Sequence, residues 1–128
     1  MGLFDKGKKN DAPATAPTAV APQHAVIVQF NFPSGDLDRI IELEDQLAKA
    51  VEGAHVGELD GNEIAVDGRD NLFYLYGPDA DKLYAAIEPV VLSWEMLSEA
   101  RVLLRYGPPH IDTRQKTIVL PKYSGTRH

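Results

Sequence analysis

The sequence predicts an α+β domain in the order β-α-β-β-α-β, an antiparallel four-stranded sheet with both helices on one face. Two observations carry that reading. Residues 63–91 run strand, tight turn, strand, Gly-Pro stop and helix. Residues 24–52 repeat the theme, with a period-two apolar run followed by a helical one.

The first strand spans His24 to Phe32. Val26, Val28, Phe30 and Phe32 share one face and are the expected core; Ile27, Gln29 and Asn31 share the other. Pro33-Ser34-Gly35 breaks it. Asp36 to Glu52 is the clearest helix, with Ser34 or Asp36 as its cap and Leu37, Ile40, Ile41, Leu47, Ala48 and Val51 as the inward stripe. Leu43 falls off that stripe and is expected to be exposed. Asp45 and Lys49 form an i,i+4 pair, and Gly53 is placed as the C′ residue.

A second strand begins at His55 to Leu59. Either Gly61 marks a bulge within one long strand, or Asp60-Gly61 turns a small extra hairpin; the shortness of the following run favours the bulge. Ile64 and Val66 alternate with Glu63, Ala65 and Asp67, the pattern of a half-buried strand, and Asp67-Gly68 turns it. Leu72-Phe73-Tyr74-Leu75-Tyr76 is apolar or aromatic on both faces and is placed mid-sheet. Gly77-Pro78 stops it, with Pro78 suited to the first helical position and Asp79 and Asp81 to the positive end of the dipole.

Leu83, Ile87 and Val90 mark the second helix, which Pro89 kinks or ends, and Leu92 to Leu97 offers a further turn. Ala100 to Tyr106 is the fourth strand, with Arg101, Leu103 and Arg105 on one face. Lys116 to Leu120 adds a short edge strand. With right-handed crossovers this is the ferredoxin-like plan, in which the first and third strands are central and the fourth lies beside the first. Residues 1–23 form an Ala/Pro/Thr-rich leader expected to be disordered, residues 24–120 the domain, and residues 121–128 a frayed basic tail. Within the leader, Leu3 and Phe4 form a short apolar handle beside Lys6, Lys8 and Lys9.

Four runs resemble a family of small bacterial proteins of unassigned function with this fold: Gly57 to Glu63, Tyr76 to Asp81, Ile87 to Val90 and Arg105 to Pro109. The resemblance covers about residues 25–109. It implies the fold and a bacterial setting, and it brings no catalytic residue.

At 128 residues with 44% apolar side chains, one domain with one modest core is expected. The cysteine-free sequence excludes disulfide, thiolate and zinc-thiolate chemistry. No apolar run approaches the roughly 18 residues of a membrane helix, no signal-peptide core is present, and Lys6 breaks the myristoylation pattern. A cytoplasmic protein without a membrane role is expected.

The net charge of −6 hides a polar layout. Residues 36–99 carry −12, residues 100–128 carry +5, and the first 35 carry +1. An acidic face built on Glu42, Glu44 and Asp45 is therefore a candidate docking surface for a basic protein partner, against the simpler reading of a solvated face.

Enzymatic signatures are missing. No G-x-S-x-G, P-loop or G-x-G-x-x-G occurs, and the serines lack an evident base. His24, His55, His110 and His128 are scattered, and the acidic hairpin from Glu58 to Asp70 does not follow a known calcium-loop spacing, so no metal site and no cofactor are expected.

The open sheet face is the sharper structural candidate. If Phe73 and Leu75 turn to the helices, Tyr74 and Tyr76 turn outward, with Arg101 and Arg105 two strands away and Gln29 and Asn31 between. Nucleic acid is disfavoured because the RNP1 pattern is unmatched and the domain is acidic. A second copy packed on that face as a homodimer, or the C-terminal strand folded across it, fits better. The expected role is a non-catalytic, acidic regulatory or immunity-type interaction module. The alternative is a small enzyme or ligand-binding protein that uses the open sheet face.

Overall fold

The computed structural model describes residues 23–33 and 36–123. The leader up to Ala21 and Pro22, the Ser34 cap and residues 124–128 of the basic tail lie outside them. The elements are β1 (His24–Phe30), α1 (Leu37–Gly53), β2 (Glu58–Glu63), β3 (Asn71–Gly77), α2 (Ala80–Val91), a 3₁₀ turn (Glu95–Leu97), β4 (Arg101–Arg105) and β5 (Gln115–Val119). They form one antiparallel sheet in the order β2-β3-β1-β4-β5. Residues Val26, Val28 and Phe30 of β1, Phe73 and Leu75 of β3, and Val102 and Leu104 of β4 are buried against Leu43, Leu47, Leu83 and Ile87 of the helices. The layout is consistent with the ferredoxin-like plan, extended by β5 on the β4 edge.

Local chemistry explains most boundaries. Asp36 is the N-cap of α1 and accepts from the Arg39 amide at 3.4 Å. Asp79 caps α2, its carboxylate accepting from the Asp81 and Lys82 amides at 2.9 and 3.3 Å, so the first helical position falls to Ala80 and Pro78 lies outside the helix. The His24 Nδ1 accepts from the Ala80 amide at 3.0 Å, so a strand residue completes the cap. Pro89 neither breaks nor ends α2, which runs on to Val91. A bulge does lie between Leu59 and Gly61.

Several expectations are corrected. In α1 the buried residues are Ile40, Leu43, Leu47 and Val51; Leu43 is 0% exposed, whereas Leu37 and Ile41 are 57% and 58% exposed. At about 100° per residue the apolar arc from Leu43 round to Ile41 spans roughly 160°. The sheet and α2 cover only the Leu43 side of that arc. The helix ends in a Schellman arrangement whose C′ residue falls two residues later than expected. His55 (φ 57°) takes the left-handed position, His55 N–H donates to the Glu52 carbonyl, and Val56 N–H donates to the Val51 carbonyl, each at 3.1 Å. Gly53 is the last helical residue.

Ile64 and Val66 form no strand: β2 stops at Glu63, and Val66 is fully exposed in the connecting loop. Residues 121–123 are not frayed. The Pro121 carbonyl accepts from the Glu99 amide and the Ser98 hydroxyl oxygen from the Tyr123 amide, while Leu120 is buried. β5 pairs with β4 at the sheet edge and does not cross the tyrosines.

Candidate functional site

Leu37 faces the loop between β2 and β3, and with Phe32, Ile40, Ile64, Ala65, Val66 and Gly68 it lines an open apolar groove of about 380 Å³. Such a volume is near the low end of ligand pockets, about 300–1,000 Å³. It suits an anchoring side chain better than a whole cofactor. Ile41 continues the apolar strip one turn along α1.

The groove wall is set by a buried amide. Asn71 is fully buried; its Oδ1 accepts from the Ala65 amide at 2.9 Å and its Nδ2 donates to the Gly68 carbonyl at 3.1 Å. Gly68 takes φ 76°, and its carbonyl accepts from the Phe32 amide at 2.6 Å. A Cβ there would run into the Phe32 backbone, so the position needs glycine. The loop is pinned from outside as well. Asp70 (φ 56°) donates its amide to Asn31 Oδ1 at 2.7 Å, and its carboxylate accepts from Gln29 Nε2 at 2.8 Å.

The chain segment that builds the groove is acidic in composition. Residues 36–70, which build most of it, hold eleven carboxylates and three cationic side chains. Two of those cations are engaged. Arg39 lies over the Trp94 ring at 5.2 Å, and Lys49 pairs with Asp45 at 3.0 Å. Of the predicted acidic face, Glu42 and Asp45 are exposed, and Glu44 accepts from Asn62 Nδ2 at 2.7 Å, which ties α1 to β2.

The open sheet face carries the other predicted residues. The register sets Glu58, Tyr76, Ala25, Arg105 and Gln115 side by side across the strands, and Glu63, Leu72, Gln29, Arg101 and Val119 in a parallel row. Between them lie Tyr74, Ile27, Leu103 and Thr117. The face is thus apolar in the middle, acidic along β2 and basic along β4. Burial first, then the Glu63 charge and hydrogen bond, hold the Tyr74 phenol above its ordinary value. Arg105 Nε donates to the Gly107 carbonyl at 2.8 Å. Asn31 lies beyond the end of β1, and with Gln29 it is spent on positioning Asp70. Gln29, Asn31, Asp70, Glu99 and Arg101 line a polar cleft at that end of the sheet.

A third cluster went unread in the sequence. Tyr106 donates to Asp81 Oδ1 at 2.7 Å, stacks edge-on to His24 and lies 4.2 Å beneath the Arg114 guanidinium. The bond to Asp81 is the main reason its phenol is raised above the ordinary value. These contacts fasten the β4–β5 connection to the start of α2.

Among the described residues, no group of three or more His, Asp or Glu side chains converges in a way that would hold a metal ion. No helix in the described chain is long and apolar enough to cross a membrane. The fold and surfaces thus define an α+β protein with two helices on one face of a five-stranded antiparallel sheet. No protein-family model, curated protein or solved structure matches it. Periodicity alone places Leu37 and Ile41 in the core and Val66 in a strand, which hides the groove from the sequence. The signal that reveals it is an apolar arc on α1 wider than one sheet covers.

Proposed function

We propose that this is a non-catalytic interaction module, built on a ferredoxin-like plan and working in a bacterial cytoplasm, that docks a basic partner on its acidic half. The observation that carries the reading is the apolar strip of Leu37, Ile41 and Val66 exposed inside an acidic surface. Apolar patches rimmed by polar groups mark binding sites, and the rim charge selects the partner. The partner that fits presents one or two apolar anchors flanked by lysine or arginine. The bacterial setting rests on the resemblance of the four sequence runs.

The test uses a fluorescein-labelled amphipathic peptide of leucine and lysine, titrated against the full chain by anisotropy. Binding should weaken roughly ten-fold for Ile41→Ser with Val66→Ser, as expected for loss of anchors. It should also weaken for Glu42, Glu44 and Asp45 all changed to Lys, and in high salt. Circular dichroism checks that each variant is folded. Equal binding by wild type and both variants would sink the reading.

A second reading concerns the open sheet face, and its charge order favours a homodimer over a ligand site. A two-fold axis along β1 lays β3 of one copy over β4 of the other. Tyr76 then meets the partner's basic row at Arg105, and the β2 acids approach the basic side. An axis across the strands would set acid on acid and arginine on arginine. Only the first arrangement is charge-complementary.

A further inference from the structure

We infer that the chain's own leader occupies the acidic groove in cis, with Leu3 and Phe4 as anchors and Lys6, Lys8 and Lys9 against the rim. The inference rests on the docking role proposed for that groove and names its resident occupant. Residues 1–22 lie outside the described residues, so the argument stands on the groove, on charge and on reach.

The groove asks for a short apolar anchor followed by positive charge. Within the sequence, Leu3-Phe4 followed after Asp5 by three lysines is the run that offers both next to a proline-rich segment. Of the six cations in the +5 C-terminal part, Arg101, Arg105, Arg114 and Lys116 belong to β4, β5 and their connection, and Lys122 and Arg127 follow the buried Leu120. Leu37, Ile40, Ile64 and Val66 supply the apolar floor and wall, Ile41 extends the strip along α1, and Asp36, Asp38 and Asp67 sit beside them in the chain.

Reach permits the contact. The leader joins β1 at His24, beside the start of α2, whereas the groove opens near Phe32, beyond the other end of the strand. The strand is seven residues long, or about 23 Å at 3.3 Å per residue. Residues 10–23 between the lysines and the strand include three prolines; as an extended proline-rich tether they span about 43 Å. The anchor therefore reaches the groove with slack. A tether of this length gives an effective concentration of order millimolar. A contact with a dissociation constant of about 0.1 mM between separate molecules is then roughly nine-tenths formed within one chain. The leader acts as a built-in competitor that an outside basic partner must displace.

The chain has no cysteine, so Asp11→Cys accepts a single nitroxide label. In the full chain at low salt, the label should broaden the amide signals of Ile41, Ala65 and Val66 while sparing Ile118 on the far edge. Phe4→Ser in the labelled chain, or 1 M salt, should restore them. Broadening that is absent from the groove amides, or that falls on the open sheet face, overturns the inference. The fate of the docking reading is separated by the leucine–lysine peptide. On the full-chain Phe4→Ser variant it should bind at least ten-fold more tightly than on wild type. Peptide binding that is unchanged by Phe4→Ser, with no groove broadening, removes the cis occupant and leaves the groove's role standing. No peptide binding to either chain, with no broadening, removes both.

Discussion

The carboxamide oxygen of Asn71 accepts the Ala65 amide at 2.9 Å from a fully buried position. That bond joins the first residue of β3 to the middle of the loop that walls the apolar groove. The same side chain donates to Gly68, so one amide replaces the strand ladder that Ile64 and Val66 fail to make. Removing it takes away the part-buried Ala65 amide's acceptor, at about 1–3 kcal/mol before relaxation, while the Gly68 carbonyl keeps the Phe32 amide. Asn71→Ala should therefore lower the urea midpoint strongly and raise hydrogen exchange at Ala65 and Gly68 first. A midpoint within experimental error of wild type would show that the loop is held by other means.

Leu43 and Ile41 make a paired test of which way α1 faces. Leu43 is enclosed by the sheet and α2, so Leu43→Ala should cost about 2–5 kcal/mol through lost contacts and a residual cavity. Ile41→Ser sits in solvent and should change stability by no more than about 0.5 kcal/mol. Denaturant titration of the two variants reads the orientation directly. Equal costs would mean that the helix is rotated from the position described.

The strand order was legible because each strand carried its own signal. The doubly apolar run Leu72 to Tyr76 is central, Val26, Val28 and Phe30 face the helices, and the bulge follows from Gly61. Asp36 and Asp79 were legible as acidic residues at helix starts, although Pro78 obscured which residue is the cap. The inward face of α1 was not legible, because an arc that includes Leu37, Ile40, Ile41, Leu43 and Leu47 offers two choices. Only the area available on the sheet decides between them. Asn71 was invisible for a related reason. An asparagine at a strand entrance reads as turn chemistry, and its value comes from a loop folded back over it. The candidate surfaces inherited these limits: the open-face tyrosines followed from alternation, whereas the groove depended on the misread flank.

Alkaline pH should weaken the fold through its phenols. Tyr106 is raised chiefly by its hydrogen bond to Asp81, Tyr84 by burial and then by Glu88, and Tyr74 by burial and then by Glu63. A phenol whose folded value lies above its unfolded one, near 10, holds its proton more tightly in the folded state. That contribution is complete below pH 10 and is lost as pH rises through the raised folded values. Urea midpoints should thus be level from pH 8 to about 9.5 and fall above it. Tyr106→Phe should flatten part of the fall while losing the Asp81 bond at every pH. A wild-type midpoint that rises between pH 9.5 and 11 would reverse the sign and refute the assignment.

The open sheet face makes the last prediction, and charge gives it direction. If two copies meet with the two-fold axis along β1, Arg105 of each approaches the acidic β2 side of the other. Arg105→Glu should then dissociate the dimer, because it places a carboxylate against Tyr76 and one strand away from Glu58. Glu58→Arg alone should dissociate it by the same approach of like charges, and the two changes in one chain should restore it. Tyr74→Ala with Tyr76→Ala removes the apolar centre and should also give a monomer, without rescue by either charge change. Light scattering on the purified chains reads all four states. Dissociation by each single charge reversal and recovery in the double one is a signature that general destabilisation does not produce, since a weakened fold has no reason to be repaired by a second exposed substitution. A wild-type monomer at high concentration would remove the dimer, and would return Tyr74, Tyr76, Arg101 and Arg105 to the alternative of a ligand held over the sheet.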